Sequence, residues 1–219
     1  MKIALVIGAT GLVGDYLLRQ LLLDSRFERI KVFTRRPTGY QNPAKLEEHL
    51  VDFEQPEQWH HLLTGDVLFS TLGTTLKQAG GQRQQYRVDY TYQYQTAEAA
   101  ARNGVETYVL VSSASADPTS NIFYTRMKGE LERDVQRLPF RRIRILQPGP
   151  LAGPRQEPRT LEKIGIAAAS LLGQLPALRK YRPAHGRTVA QAMINATLDE
   201  TPGTQVDTLE GVFARVGEE

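Results

Sequence analysis

Short apolar runs alternate along the chain with longer segments in which apolar residues recur at helical spacing. The short runs predict strands at residues 3–7, 30–34, 50–53, 67–70, 108–112 and 143–146, of which the third is the weakest. The longer segments predict helices at residues 12–23, 88–102, 124–138, 164–172 and 188–198. Several short runs are continuously apolar, as strands are when both faces of a sheet are covered. The alternation therefore predicts an α/β protein with right-handed crossovers and a doubly wound parallel sheet.

The length and the distribution of prolines indicate the domain organisation. A chain of 219 residues suits one domain with a substantial core and is short for two. Four of the 12 prolines fall in the segment QPGPLAGPRQEPR, which predicts a loop after the sixth strand. We find no internal repeat and no flexible linker in the sequence. We therefore expect a single domain over residues 1–219, with residues 148–219 as a small C-terminal extension that forms a lid on the substrate side.

The charge balance argues against nucleic-acid binding. The chain carries 27 basic and 24 acidic side chains, for a net charge of +3, whereas nucleic-acid-binding domains usually present a clustered basic face. The densest basic patch is RRIR at residues 141–144, which Ile143 interrupts and which leads into an apolar run. We interpret this patch as the solvated start of a strand.

The absence of cysteine narrows the chemistry further. Disulfides, thiolate metal sites and cysteine nucleophiles are all excluded, and the composition is compatible with a reducing cytoplasm. The four histidines, at positions 49, 60, 61 and 185, do not have metal-ligand spacing, so we expect no metal. No apolar run reaches the roughly 18 to 20 residues of a membrane span, and the N-terminus is typical of a buried first strand. We therefore expect a soluble cytoplasmic protein.

A glycine-rich segment follows the first predicted strand. Residues 8–14 read GATGLVG and place Gly8, Gly11 and Gly14 in a GxxGxxG spacing at the start of an amphipathic helix. Small residues let the backbone approach a pyrophosphate closely, and the helix offers its N-terminal amides to the anion. The alternative is a tight strand-to-helix turn without a ligand. The position between a strand and a helix favours a dinucleotide site.

The second predicted strand ends about twenty residues further on, where NAD-binding proteins place an Asp or Glu on the ribose 2′-hydroxyl. This chain has Thr34 there, followed by Arg35 and Arg36. Guanidinium groups bind phosphate in a bidentate manner, and no carboxylate repels it at this position. Two exposed loop arginines without a ligand are the alternative. We favour NADP(H) as the cofactor.

Two further strand ends carry candidate site residues. The fourth strand ends in STLGTT, where Leu72 and Gly73 are candidates for packing along a cofactor, although a plain turn would look similar. The fifth ends in VSSASAD and is followed by YTRMK, which puts Tyr124 and Lys128 on one helix face. Carbonyl reduction needs a proton donor, and a phenol with a pKa of about 10 becomes useful when a neighbouring ammonium favours its ionised form. The segment therefore indicates a Tyr/Lys pair for acid/base chemistry.

In this order, GATGLVG, the arginine pair, STLGTT, VSSASAD, YTRMK and QPGPLAGPRQEPR resemble the atypical short-chain dehydrogenases/reductases of the NAD(P)-binding Rossmann superfamily. The resemblance covers nearly the whole chain. LGTT, the YxxxKGE form and PGPLAGPRQEPR are more specific, and they are similar to the branch that contains the human HIV Tat-interacting oxidoreductase and its bacterial relatives. The resemblance implies a Rossmann fold and cofactor-dependent oxidoreductase chemistry.

The resemblance also implies roles for individual residues. The pyrophosphate would lie against Gly8, Thr10, Gly11, Leu12, Val13 and Gly14, and the 2′-phosphate against Arg35 and Arg36. Leu72 and Gly73 would line the adenosine-to-nicotinamide stretch, with Leu151 and either Arg155 or Arg159 closing over the cofactor. Tyr124 would be the general acid/base and Lys128 its partner, and Ser113, or else Ser112, would orient the substrate carbonyl.

Two functions of different classes fit these residues. The first is an NADP(H)-dependent reductase that acts on a small carbonyl or alcohol substrate, with Tyr124 as the proton donor. The second is an NADPH-binding regulatory or redox-sensing protein without significant turnover. The intact Ser-Tyr-Lys set favours the enzyme. In relatives, the helix formed around residues 85–95 often makes the dimer face, which leaves a homodimer open.

Overall fold

The computed structural model describes residues 1–152 and 183–217. The strands are β1 (Lys2–Ile7), β2 (Phe27–Thr34), β3 (Leu46–Leu50), β4 (Val67–Ser70), β5 (Thr107–Val111), β6 (Arg142–Gln147), β7 (Leu151–Ala152), β8 (Ala184–His185) and β9 (Gly203–Thr208). The helices are α1 (Leu12–Leu23), α2 (Leu76–Ala79), α3 (Gln82–Tyr86), α4 (Tyr92–Arg102), α5 (Phe123–Val135), α6 (Gly186–Ala196) and α7 (Glu210–Ala214). A π-helical turn at Arg87–Thr91 joins α3 to α4.

The main sheet has seven parallel strands in the order β3-β2-β1-β4-β5-β6-β9 among the described residues. The strand order reverses between β1 and β4, and open α/β sheets bind their ligands in the crevice at such a point. Ile7, at the end of β1, pairs with Phe33 on one side and Ser70 on the other, so the carboxyl ends of three strands are aligned. The predicted doubly wound parallel sheet of the Rossmann type is confirmed.

Both faces of the sheet are covered by helices. Alternate residues of β1 enter different core layers: Ala4 and Val6 pack towards α1 and α6, while Leu5 and Ile7 pack towards α4 and α5. All four side chains are fully buried. Burying a side chain the size of Val6, Leu5 or Ile7 contributes about 1.5–3 kcal/mol. This two-sided burial explains why the central strands are continuously apolar.

The strand predictions are wrong or missing at the two edges of the seven-stranded sheet, which are β3 and β9. The expected strand at residues 50–53 is wrong, because β3 covers Leu46–Leu50 and ends where that strand would begin. The sequence of β3, LEEHL, carries charged side chains, which are common on edge strands because they hinder pairing with another chain. These charged residues interrupt the apolar pattern from which a strand is predicted. The opposite edge strand, β9, reads GTQVDT and was not predicted for the same reason.

The predicted solvated RRIR patch is wrong at Arg144, which is fully buried. Its guanidinium group donates hydrogen bonds to the carbonyl oxygens of Gly203 and Asp199 at 2.9 Å and of Thr201 at 2.5 Å. The carboxylate of Asp199 lies 3.6 Å away. Arg144 therefore holds the segment that leads into β9, and its guanidinium group is paired with that segment instead of with solvent.

The helix predictions are closer to the structure. The predicted helix at residues 12–23 coincides with α1, and those at 124–138 and 188–198 correspond to α5 and α6 with ends shifted by one to three residues. The helix expected at 88–102 is longer in the structure, since helical backbone begins at α3. The helix expected at 164–172 lies outside the described residues. Within the described ranges, no helix combines the length and apolarity that crossing a bilayer requires.

Candidate nucleotide-binding and catalytic site

The glycine loop is built by close backbone contacts. Gly8 has a φ of +84°, and a Cβ there would lie 2.5 Å from the carbonyl carbon of Thr71. A Cβ on Gly14 would lie 2.1 Å from the carbonyl oxygen of Gly8 and 2.7 Å from Oγ1 of Thr71. Neither position has room for a side chain. The first and third glycines are therefore required by the contact between β1, α1 and the loop after β4.

The first turn of α1 lies at the carboxyl ends of the strands, next to the glycine loop. The amide of Gly11 donates to the carbonyl of Gly8 at 2.9 Å, and no side chain caps the helix at Gly11. Val13 is buried in the core, whereas Thr10 and Leu12 are half-buried and Gly11 is exposed. Uncapped amides at a helix N-terminus attract anions. The residues present therefore fit a pyrophosphate, which would contact the backbone of Val13 and not its side chain.

Arg35 and Arg36 follow β2 and are exposed. Thr34 is buried, and its hydroxyl donates to the carbonyl of Arg36 at 2.9 Å and shapes the turn. Within residues 1–152 and 183–217, neither guanidinium group is held by a hydrogen bond or an ion pair. Both groups are therefore available to an anion beside the end of β2.

The loop after β4 connects the glycine loop to the opposite side of the site. The amide and the hydroxyl of Thr71 donate to the carbonyl of Ile7 at 3.0 and 2.8 Å. Leu72 is half-buried and Gly73 is exposed. At the far end of the loop, the amide of Thr74 donates to the carboxylate of Asp89 at 2.8 Å.

Tyr124 and Lys128 lie one turn apart on α5, as their spacing predicts. Tyr124 is 40% exposed, whereas Lys128 is only 3% exposed. The Nζ atom of Lys128 lies 3.3 Å from Oδ1 of Asp89, which is also buried. Burial lowers the pKa of Lys128, but the electrostatic interaction with Asp89, followed by that with Tyr124, outweighs burial, so the pKa is raised. Lys128 therefore stays cationic beside a partly exposed phenol.

A second buried carboxylate lies one turn further along α5. Nε2 of Gln147, at the end of β6, donates to the two carboxylate oxygens of Glu132 at 3.0 and 2.9 Å. Burial raises the pKa of Glu132, although the hydroxyl of Ser112, the amide of Gln147 and the charge of Lys128 each lower it. Ser112 and Ser113 follow the end of β5. The hydroxyl oxygen of Ser112 is buried and makes no hydrogen bond among the described residues, whereas Ser113 is half-buried.

Three residues of this side were missed by sequence reasoning: Asp89, Glu132 and Gln147. Asp89 stands in the aromatic and glutamine-rich segment at 85–95, most of which lies in the helix predicted at residues 88–102. The only signals were an acidic residue in an otherwise uncharged helix face and a glutamate at i+4 from Lys128. Neither signal identifies a partner, because the partners come from other elements of the fold.

The segment after β6 is described only in part. Leu151 lies in β7 and pairs with Ala184 of β8, so residues 151–152 and 184–185 lie side by side. His185 begins α6, and its Nδ1 accepts a hydrogen bond from the amide of Arg187 at 3.1 Å, which is a structural role. Arg155 and Arg159, the candidate closing residues, lie outside the described residues.

One cavity lies away from the carboxyl ends of the strands. It has a volume of about 310 Å³ and is lined by Lys2, Asp66, Val67, Glu106, Thr107, Arg141, Arg142, Thr197 and Glu200. Several of these residues begin strands, so the cavity is at the amino ends of the sheet, whereas open α/β sheets bind ligands at the carboxyl ends. It does not mark the nucleotide site. In the described part of the chain, no group of His, Asp or Glu side chains is arranged to hold a metal ion.

A sequence model for a family described as NAD(P)H-binding matches residues 8–137, the part that contains the glycine loop, Asp89 and Lys128. The chain belongs to this NAD(P)H-binding family. The FMP52 protein of Saccharomyces cerevisiae is 37% identical over 203 residues, which cover 89% of this chain and 87% of the relative. The fmp52 protein of Aspergillus niger is 34% identical over 222 residues, which cover 98% of this chain and 94% of the relative.

A solved structure agrees with the fold. A short-chain dehydrogenase/reductase superfamily protein from Agrobacterium tumefaciens, crystallised with bound NAD, has a TM-score of 0.70 at 16% identity. The match covers 94% of this chain and 77% of that chain. At this identity the likeness shows the fold alone. The family model and the fold together support a protein that binds NAD(P)H.

The predicted cytoplasmic location is wrong on these comparisons. The S. cerevisiae and A. niger relatives are both named mitochondrial proteins. The prediction depended on the lack of cysteine and of a long apolar run, and neither feature distinguishes one reducing compartment from another.

Proposed function

We propose that this protein is an NADP(H)-dependent oxidoreductase that transfers hydride between NADPH and a small carbonyl or alcohol substrate. The observation that carries the proposal is the partly exposed Tyr124 one helical turn from the buried cation Lys128. Both residues stand on the helix that follows β5, at the edge of the sheet that also carries the glycine loop. A phenol, an ammonium and a phosphate-binding loop are the groups that cofactor-dependent carbonyl reduction needs.

In this proposal, Tyr124 donates its proton to the carbonyl oxygen as the alcohol forms, and takes a proton back in the reverse reaction. Lys128 favours the phenolate left after the transfer, since a cation beside a phenol stabilises its ionised form. Bound NADPH would supply the hydride to the carbonyl carbon. Ser113 orients the carbonyl, because it is the more exposed of the two serines that follow β5. Ser112 remains the second choice.

The preference for NADPH is proposed from the end of β2. Arg35 and Arg36 are exposed there, without an internal partner in the described chain, and Thr34 takes the place of the carboxylate that binds the ribose 2′-hydroxyl of NAD. Leu72 and Gly73 would line the cofactor, and Leu151 with Arg155 or Arg159 would close over it. These last assignments stay predictions, as do the lid formed by residues 148–219 within a single domain, a homodimer and the narrower Tat-interacting branch.

The cofactor assignment is tested by titration. Calorimetry should show that NADPH binds at least tenfold more tightly than NADH, which corresponds to about 1.4 kcal/mol. The Arg35→Ala/Arg36→Ala variant should lose this preference while its affinity for NADH changes little. The matched control is Arg83→Ala, an exposed arginine on α3, which should keep the preference. Equal affinities in the unaltered protein would remove the NADP assignment.

The reaction is tested with a panel of small aldehydes and ketones, following NADPH oxidation by its absorbance. For any compound that is turned over, Tyr124→Phe should reduce kcat by about 10²-fold or more, since it removes the proton donor. Tyr94→Phe, on a half-buried tyrosine of α4, is the matched control and should leave kcat unchanged. Unchanged turnover in Tyr124→Phe would exclude its role. Tight NADPH binding without turnover on any compound would support the sensor function in place of the enzyme.

A further inference from the structure

Asp89 lies between the loop that follows β4, which is proposed to line the cofactor, and α5, which carries Tyr124 and Lys128. Its side chain is 1% exposed and stands on the π-helical turn between α3 and α4. One carboxylate oxygen, Oδ1, lies 3.3 Å from Nζ of Lys128. The other, Oδ2, accepts a hydrogen bond from the backbone amide of Thr74 at 2.8 Å. A single carboxylate thus joins the lysine of α5 to the loop that follows β4.

The position of Asp89 is fixed by its own backbone. Nε2 of Gln93 donates to the carbonyl oxygen of Asp89 at 2.7 Å, and Oε1 of Gln93 accepts from the hydroxyl of Ser70 at 2.7 Å. Gln93 and Ser70 are both fully buried. π-helical turns inside α-helices frequently occur at functional sites. The turn and its two polar partners therefore anchor the carboxylate to the end of β4.

The charged surroundings of Lys128 are defined by two elements. Asp89 faces it from the π-helical turn, and Tyr124 and Glu132 face it from the preceding and following turns of α5. Burial by itself would favour the neutral amine, so the cation depends on these neighbours and above all on the carboxylate of Asp89. Of the three, Asp89 makes the largest contribution and is in direct contact.

We propose that Asp89 is a positioning residue, which holds the ammonium group of Lys128 beside Tyr124 and ties it to the loop along which the cofactor is proposed to lie. This inference deepens the proposed function and rests on it for its catalytic meaning. The chain of contacts runs from Gly8 through Thr71 and the loop after β4 to Asp89, and from Asp89 to Lys128. Asp89 itself need not touch the substrate.

The proposal makes a signed prediction about alkaline titration. The carboxylate of Asp89 lies 3.3 Å from Nζ of Lys128 and stabilises the charged form of the lysine. Removing the charge of Asp89 therefore moves the deprotonation of Lys128 to lower pH.

The experiment compares the full chain with Asp89→Asn, which keeps the size of the side chain and an oxygen for the amide of Thr74. Lysines labelled with ¹³C at Cε are titrated by NMR, and Lys128→Met assigns the Lys128 signal. In Asp89→Asn the titration midpoint of Lys128 should move to lower pH, and Asp89→Glu should restore part of the difference. The control is Asp134→Asn, a buried carboxylate of α5 that pairs with Arg133 and Arg137. It should leave the Lys128 midpoint unchanged.

An Lys128 midpoint that is the same in Asp89→Asn and in the unaltered protein would overturn the proposal. So would an equal shift in Asp134→Asn, which would indicate a general loss of structure. If Asp89→Asn does not fold, the unaltered protein decides: its Lys128 should titrate above the ordinary range of lysine, and a midpoint below that range overturns the proposal.

The titration is independent of turnover, so it separates this inference from the proposed function. If a substrate is found, the alkaline limb of the kcat profile should also move to lower pH in Asp89→Asn and return towards its original position in Asp89→Glu. A shifted NMR midpoint without any turnover would support the positioning of Lys128 and reject the reductase. Turnover with an unshifted midpoint would support the reductase and reject the role of Asp89.

Discussion

The two sides of the candidate site are built in different ways. On the nucleotide side, the glycine loop depends on backbone contacts around Gly8 and Gly14, and the arginines after β2 are exposed. On the catalytic side, Lys128 is buried against Asp89, and Glu132 is buried against Gln147. The first side thus offers uncommitted donors to a ligand. The second side has already paired its charges inside the protein.

This difference reflects what each side has to do. A pyrophosphate brings its own charge, so amides and arginines can remain solvated until it binds. A cation that acts on a neighbouring phenol has to be in position beforehand, and in a buried place it is stable only with a partner. We therefore expect substitutions on the catalytic side to cost more stability than substitutions of exposed groups on the nucleotide side.

The largest effect is expected for Asp89→Ala, which leaves Lys128 buried without its contacting carboxylate. Breaking a buried ion pair from one side costs about 3–5 kcal/mol of the free energy of unfolding, as measured by urea denaturation. The control is Glu98→Ala on α4, whose pair with Arg102 is exposed on both sides. Exposed helix pairs contribute about 0.3–0.5 kcal/mol. Similar losses in the two variants would contradict the contrast between buried and exposed charges.

The next effect separates close approach from backbone strain in the glycine loop. Gly8 and Gly39 have nearly the same φ, +84° and +83°, but a Cβ meets the backbone of Thr71 at Gly8 and nothing within 4 Å at Gly39. Gly39→Ala should cost about 1–2 kcal/mol from the left-handed backbone. Gly8→Ala should cost about 1–3 kcal/mol more, from overpacking, and should also weaken nucleotide binding. Denaturation curves with equal midpoints would show that the crowding at Gly8 is relieved at no cost.

A smaller effect of pH is expected at Glu132. Because burial raises the pKa of Glu132 in the folded protein, its contribution to stability is present at acidic pH and is lost as the pH rises above the unfolded value. Glu132→Gln removes this titration and keeps an acceptor for Gln147. The variant should therefore gain stability relative to the unaltered protein between about pH 4 and pH 8. Urea denaturation at both pH values tests the sign, and a relative loss would mean that Glu132 is stabilised by Lys128 more than it is destabilised by burial.

The smallest effect is expected for Arg35→Ala/Arg36→Ala. Both side chains are exposed, so the free energy of unfolding should change by less than about 0.5 kcal/mol, although the preference for NADPH is lost. Thermal and urea denaturation without ligand measure the first quantity. A large destabilisation would show that the nucleotide side also has an internal structural role, and the contrast between the two sides would then fail.

Sequence reasoning predicted the central fold well and its edges poorly. The strands β1, β4 and β5 are apolar because both faces are covered, so each is visible as a run of four or five residues. The edge strands β3 and β9 are polar because one side faces solvent, and neither was placed correctly. The prediction that Arg144 is solvated was wrong for a related reason. A charged side chain usually faces solvent, but backbone carbonyls of a segment distant in the sequence bind this one inside the protein.

The sequence by itself determined the parts of the site that depend on local spacing. The three glycines, the arginines after β2 and the i, i+4 pair of Tyr124 and Lys128 lie on neighbouring residues of one loop or one helix, so their geometry follows from backbone periodicity. Only the tertiary structure decided which buried group each charge meets. Asp89 reaches Lys128, and Gln147 reaches Glu132, across different elements, because parallel strands and their crossover helices bring residues distant in the sequence to one edge of the sheet.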